Sequence, residues 1–168
     1  GLYPRKHGIC CNDQPDDQPR SALSLGSIPT IPFMLAEVGY KSLQTGKFWE
    51  GHYSNGGFTD GMTTQGRHGE EGLEIGRKTM KPVIDFIDKN RENPFFIWYA
   101  PMMPHQPHNP PERFLKKYET KDRPIQLAKY YAMCEWFDET CGVLLDELDR
   151  QNLTDNTLVL FVVDHGWI

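Results

Sequence analysis

Residues 157–163 read Thr-Leu-Val-Leu-Phe-Val-Val, an unbroken apolar run with no polar alternation. Such a run predicts a strand buried on both faces, as the central strands of parallel sheets are. It stops on Asp164-His165-Gly166, three polar or flexible residues. In open α/β sheets the ligand crevice lies outside the carboxyl ends of the strands. Asp164 and His165 therefore fall where such folds carry their chemistry. Two further segments end in the same way. Residues 41–45, Lys-Ser-Leu-Gln-Thr, run into Gly46-Lys47, and residues 95–100, Phe-Phe-Ile-Trp-Tyr-Ala, run into Pro101-Met-Met-Pro-His105. If the three strands are parallel, a carboxylate, an imidazole pair and an ammonium meet on one rim of the sheet.

Helix signals alternate with these strands. Thr30 offers a cap, Pro32 a first-turn residue, and Ile31, Met34, Leu35 and Val38 an apolar face that stops at Gly39. Residues 46–76 are glycine-dense and aperiodic, which predicts a long irregular segment over the sheet edge. Residues 75–89 show helical spacing through Val83, Ile84 and Ile87, with Pro82 in a first turn or at a kink. Residues 101–111 hold five prolines and two histidines in a stiff extended loop. The longest helix spans residues 125–150, with Leu127, Tyr130, Tyr131, Cys134, Phe137, Cys141, Leu144, Leu145 and Leu148 on one stripe. Alternation at this spacing predicts a three-layer α/β/α fold with a mostly parallel sheet and right-handed crossovers.

A chain of 168 residues supports one core rather than two ordinary domains. A net charge of −5 argues against nucleic acid, whose backbone needs a basic stripe. No apolar stretch has membrane-spanning length, and the first residues lack the apolar core of a signal peptide. Cys10 and Cys11 are adjacent, while Cys134 and Cys141 lie seven apart on the long helix. That is roughly 10 Å at the helical rise, beyond disulfide reach. Cys134 and Cys141 read as small core residues.

Each chemical motif has a plainer reading beside it. Asp164 offers a hard oxygen ligand suited to a divalent cation, with His165 as a nitrogen ligand or a neighbour to one; the same residues could simply cap a strand. His105 and His108, braced by prolines, suit anion binding or proton transfer; either could be a solvated loop residue. Lys47 can meet an oxyanion as a point charge, although most lysines are merely exposed. Glu50, His52, His68, Glu70 and Glu71 could add ligands, but their spacing is not diagnostic. Convergence of three strand ends is what favours the functional versions.

With these residues in place, the chain resembles an internal part of a type I sulfatase of the alkaline phosphatase superfamily. Gly1-Leu-Tyr-Pro-Arg-Lys-His-Gly8 is similar to the tail of the sulfatase signature, and Gly39-Tyr40 through Gly46-Lys47 to the second signature. Pro104-His105-Gln106-Pro107, the helix around Tyr130 to Gly142, and Asn156-Thr157 through Asp164-His165-Gly166 follow in the family's order. The resemblance implies that Asp164 and His165 help to hold one calcium ion. It further implies that Lys47 and His105 contact the sulfate group in substrate binding and catalysis. Residues 1–168 would then be a partial catalytic domain, truncated at both ends, of a periplasmic or secreted sulfuric ester hydrolase. Its partners would be a sulfated small molecule or glycan and a formylglycine-generating enzyme, with no nucleic acid and no membrane.

Three departures accompany the resemblance. No Cys or Ser stands before x-Pro/Ala-x-Arg, so the formylglycine nucleophile of the family would lie upstream of Gly1. The first acidic metal ligands would lie further upstream still. Trp49 occupies the position where many relatives carry histidine. On this reading the 168 residues alone turn nothing over. The alternatives are a phosphoester or phosphonate ester hydrolase of the same superfamily, and a non-catalytic remnant that binds sulfate or glycan.

Overall fold

Thr30 opens the first element, as its capping chemistry predicts. In the computed structural model, which describes residues 29–48, 51–64 and 69–163, its hydroxyl accepts the Phe33 N–H and caps α1, Ile31–Glu37. Pro32 sits in the first turn, where a missing N–H is no loss. Gly39, at φ +87°, turns the chain out of the helix.

The turn delivers β1, Lys41–Gly46, which pairs in parallel with β3, Phe95–Ala100. Lys41 lies opposite Phe95 and Gly46 opposite Ala100. β2, Asp60–Gly61, pairs in parallel on the other side of β1, giving the order β2-β1-β3. The described sheet is wholly parallel and the fold is α/β, as expected.

Side chains alternate across a strand, and both faces of this sheet are covered. On one, Leu43, Phe95, Ile97 and Tyr99 meet Val83, Phe86 and Ile87 of α3, Lys81–Asn90, and Leu148 of α5, Ile125–Arg150. Ile75, Val83 and Ile87 are fully buried there, each contributing about 1.5–3 kcal/mol. On the other face Phe96 joins Phe48, Phe58 and Tyr53. The ring of Phe48 meets Phe58 edge-on at 5.9 Å. α1 is tied to this layer by Thr30, whose hydroxyl donates to the Gly56 carbonyl at 2.6 Å. α5 is locked to β3 by Tyr99, whose hydroxyl donates to Thr140 at 2.7 Å while its ring stacks on Phe137.

Several expectations need correction. Residues 46–76 are not wholly irregular: they contain a 3-10 turn at Tyr53–Gly56, β2, and α2 at Gly69–Glu74. These pieces are too short to show a period and are fixed by contacts with β1, such as the Met62 N–H to the Gln44 carbonyl. The helix read over residues 75–89 starts only at Lys81, because Gly76 at φ +77° breaks the chain first. α4, Glu112–Tyr118, was not foreseen. It buries Phe114 and is stapled to α5 by a two-pronged Arg113–Glu139 pair at 2.6 Å.

The stripe on α5 also shifts. Ala128, Ala132, Met133, Thr140, Glu147 and Leu148 are buried, whereas Tyr131 and Leu145 are exposed. α5 packs on α4 along its first half and on α3 and β3 along its second, so no single apolar stripe faces both.

The largest correction concerns residues 157–163. They form no strand, and Leu158, Leu160 and Val162 are 82%, 75% and 75% exposed. A run like this is buried only by neighbouring strands, and among the described residues β3 pairs with β1 alone. Apolarity states what such a segment must bury, not which partner is there to bury it. Asp164, His165 and Gly166 lie outside the described residues.

Cys134 and Cys141 are free, as their spacing requires, and both are half-buried rather than fully in the core. Burial pushes the Cys141 thiol up to about 11, with Asp138 adding to the shift. A raised thiol value favours the protonated native form, so this stabilisation is present below the unfolded value of 9.0 and is lost as pH rises through about 11. At pH 8 the thiolate population falls about 100-fold relative to an unperturbed thiol. Iodoacetamide labelling of Cys141, followed by peptide mass spectrometry, should be slower by that factor; labelling within a few-fold of a free thiol would contradict the burial described. No helix among the described residues is long and apolar enough to cross a membrane.

Candidate functional site

The carboxyl end of β1 is held with unusual completeness. Gln44, fully buried, donates through Nε2 to the Gly46 carbonyl at 3.0 Å and accepts the Thr63 N–H on Oε1 at 3.0 Å. The Thr63 hydroxyl donates to the same carbonyl at 3.3 Å. On the other side of that peptide, the Lys47 N–H donates to the Ala100 carbonyl at 2.7 Å. Phe48 then drops into the aromatic cluster. The backbone of Lys47 is thus fixed before and after the residue, and its half-buried side chain leaves a rigid base.

β3 ends beside it. Gly46 lies opposite Ala100, so the loop carrying His105 and His108 departs from the rim that carries Lys47. Met102 and Met103 are buried and anchor the start of that loop, with the Met102 N–H donating to the Gly72 carbonyl at 2.9 Å. The absence of a side chain at Gly72 permits this approach, since a Cβ there would lie 2.2 Å from Met102 Cγ.

Arg77 ties down the remainder of the loop. Its Nη1 donates to the Pro107 carbonyl at 2.9 Å and to Asn109 Oδ1 at 2.5 Å. Its Nη2 donates to the carbonyls of Met102 and His105, the latter at 2.9 Å. Burial lowers the guanidinium from its ordinary value, though arginine stays charged throughout the accessible pH range.

The two histidines are placed differently. His108 donates through Nε2 to the Pro104 carbonyl at 3.0 Å, and its ring meets Tyr130 of α5 edge-on at 6.0 Å, which closes the loop on itself. His105 is exposed, with Nδ1 bonded to the Gln106 carbonyl at 2.9 Å. A carbonyl only accepts, so Nδ1 must carry a proton. Neutral His105 therefore offers Nε2 as an acceptor, and it donates to an anion from Nε2 only when doubly protonated.

Of the residues named from sequence, Lys47 and the His105 loop stand beyond the ends of adjacent, paired strands. Asp164, His165, Trp49, Glu50 and His68 lie outside the described residues, as does the side chain of Glu70. His52 caps the 3-10 turn by accepting the Ser54 N–H. Glu71 has a buried Oε2 without a hydrogen-bond partner among the described residues. Among those residues no three His, Cys, Asp or Glu side chains group to hold a metal. Sequence reasoning missed Gln44 and Arg77. Gln44 carried a signal, a polar residue inside a predicted strand; Arg77 carried none, because its partners lie 25 to 32 positions away.

The chain is also similar to known proteins. The chain is similar to an N-acetylgalactosamine-6-O-sulfatase of Bacteroides thetaiotaomicron, 32% identical over 81 residues that cover 48% of this chain and 14% of that protein. It is also similar to an ulvan-active sulfatase of Formosa agariphila, 31% identical over 91 residues, 45% of this chain and 18% of that protein. The chain thus spans well under two thirds of the length of these relatives. Its fold matches the crystal structure of Ps i-CgsB with a TM-score of 0.59 at 17% identity, over 74% of this chain and 37% of the other. It matches the same protein in complex with k-i-k-neocarrahexaose with a TM-score of 0.57 at 19% identity, over 81% and 40%. The family profile described as Sulfatase matches residues 1–167, nearly the whole chain, and the chain therefore belongs to the sulfatase family.

Proposed function

We propose that this chain is part of the catalytic domain of a sulfuric ester hydrolase whose substrate is a sulfated glycan. The observation that carries the reading is the Lys47 N–H bond to the Ala100 carbonyl, which puts the lysine and the His105 loop on one rim of a parallel sheet. Names of relatives and neighbours support the glycan: one acts on N-acetylgalactosamine-6-O-sulfate, one on ulvan, and one solved structure holds a neocarrahexaose.

Sulfate ester cleavage develops charge on the non-bridging oxygens and on the leaving oxygen. Fixed cations and preorganised donors stabilise that charge without reorganising. Lys47 supplies an ammonium on a backbone that cannot retreat. Doubly protonated His105 supplies an N–H to the same group, and in its neutral form an acceptor for a proton. Asp164 provides an oxygen of the kind calcium prefers, with His165 beside it a nitrogen that calcium takes less readily; a bound calcium would add positive charge to the sulfate site. The nucleophile is proposed to come from sequence flanking these residues.

The gene, expressed with its flanking sequence and a formylglycine-generating enzyme, should hydrolyse an aryl sulfate faster than the matched aryl phosphate and release sulfate from a sulfated oligosaccharide. Faster turnover of the phosphate would assign the chain to phosphoester hydrolysis instead.

A further inference from the structure

We infer that Arg77 is a positioning residue that sets the loop of residues 102–109 and so presents His105 to the anionic group of the substrate. The inference rests on the sulfate-site reading of Lys47 and His105 given above. A loop with prolines at 101, 104 and 107 gives up many backbone donors and cannot stitch itself together by a hydrogen-bond ladder. Its carbonyls still need partners, and the guanidinium fork provides them. Four of its five N–H groups reach three loop carbonyls and one side chain across a span of eight residues, from Met102 to Asn109.

The base of this clamp is itself fixed. Arg77 follows Gly76, whose N–H donates to the Thr79 carbonyl and whose missing side chain leaves room for Tyr99 and Met103. Its guanidinium carbon lies 6.0 Å from the Trp136 ring of α5. The fork therefore connects the loop to a rigid helix and to the core strand β3. Because the His105 carbonyl is one of the four acceptors, the backbone that carries the exposed imidazole is held directly. Lysine, with one point of charge and three donors, cannot reach all four acceptors at once.

The experiment compares Arg77→Gln, Arg77→Lys and Asn109→Ala in the full-length protein. Hydrogen exchange of peptides covering residues 102–109 should accelerate about tenfold in Arg77→Gln, less in Arg77→Lys, and least in Asn109→Ala. Peptides from α5 and β1 should keep their protection, which verifies folding. Inhibition of aryl sulfate turnover by inorganic sulfate should weaken about tenfold in Arg77→Gln and recover in part in Arg77→Lys. Unchanged exchange in the loop overturns the clamp whatever the site does. A loosened loop with unaltered sulfate inhibition removes its role in presenting His105. Wild-type protein insensitive to sulfate would overturn the site reading itself, while the exchange arm still decides whether Arg77 holds the loop.

Discussion

Gly46→Ala lowers the stability of this chain by about 3 kcal/mol or more, one of the largest effects any single-methyl addition can have here. Gly46 has φ +75°, and a Cβ on it would stand 2.0 Å from the Ala100 carbonyl oxygen and 2.6 Å from its carbon. Those atoms are backbone at the carboxyl end of the β1–β3 ladder, so no side chain can swing aside to relieve the contact. The same oxygen accepts the Lys47 N–H, and moving it breaks the bond that seats the lysine. Gly39→Ala separates the two causes. Its φ of +87° is equally unfavourable, yet a Cβ there meets nothing within 4 Å. That variant should show the left-handed cost alone, about 1–2 kcal/mol. Thermal melts followed by circular dichroism should place Gly46→Ala about 6–12 °C below wild type, well below Gly39→Ala. Equal midpoints for the two variants would show that the strand ends are not packed as described.

Lys47→Ala acts on chemistry instead of stability. If the ammonium meets charge that develops on the sulfate oxygens, its removal slows aryl sulfate hydrolysis by the full-length enzyme about 10²–10³-fold. The melting temperature should barely move, since the Lys47 side chain is half-exposed and its removal leaves the backbone bond to Ala100 intact. Lys47→Arg should recover only part of the rate, because a planar, delocalised fork does not place its charge where a compact ammonium does. Gly46→Ala, by contrast, should lose turnover and stability together. A Lys47→Ala enzyme within threefold of wild type would remove Lys47 from the reacting group and with it the main support for the proposed function.

Legibility in the sequence varied with the range of the forces involved. α1 was readable because Thr30, Pro32 and Gly39 act within a single turn. β3 and α5 have the bounds read from the sequence, Phe95–Ala100 and Ile125–Arg150, although the buried face of α5 was not the stripe expected. The parallel pairing that gives Lys47 and the His105 loop a common rim followed from alternation of helix and strand. α2 and α4 went unseen because six or seven residues carry too little periodicity; α4 depends on Phe114 and on Arg113 reaching Glu139 on another helix.

The sequence by itself determined the local grammar: where helices are capped, which stretches extend, and that a lysine and a proline-framed histidine follow strand ends. Tertiary structure alone decided that Gln44 and Thr63 seat the Gly46 carbonyl, that Arg77 clasps the histidine loop, and that residues 157–163 stay largely exposed while β3 pairs, among the described residues, with β1 alone. The physical reason is that caps and periodicities are settled by neighbours within a few positions. Burial and side-chain hydrogen bonding depend instead on which distant segments the fold brings into contact.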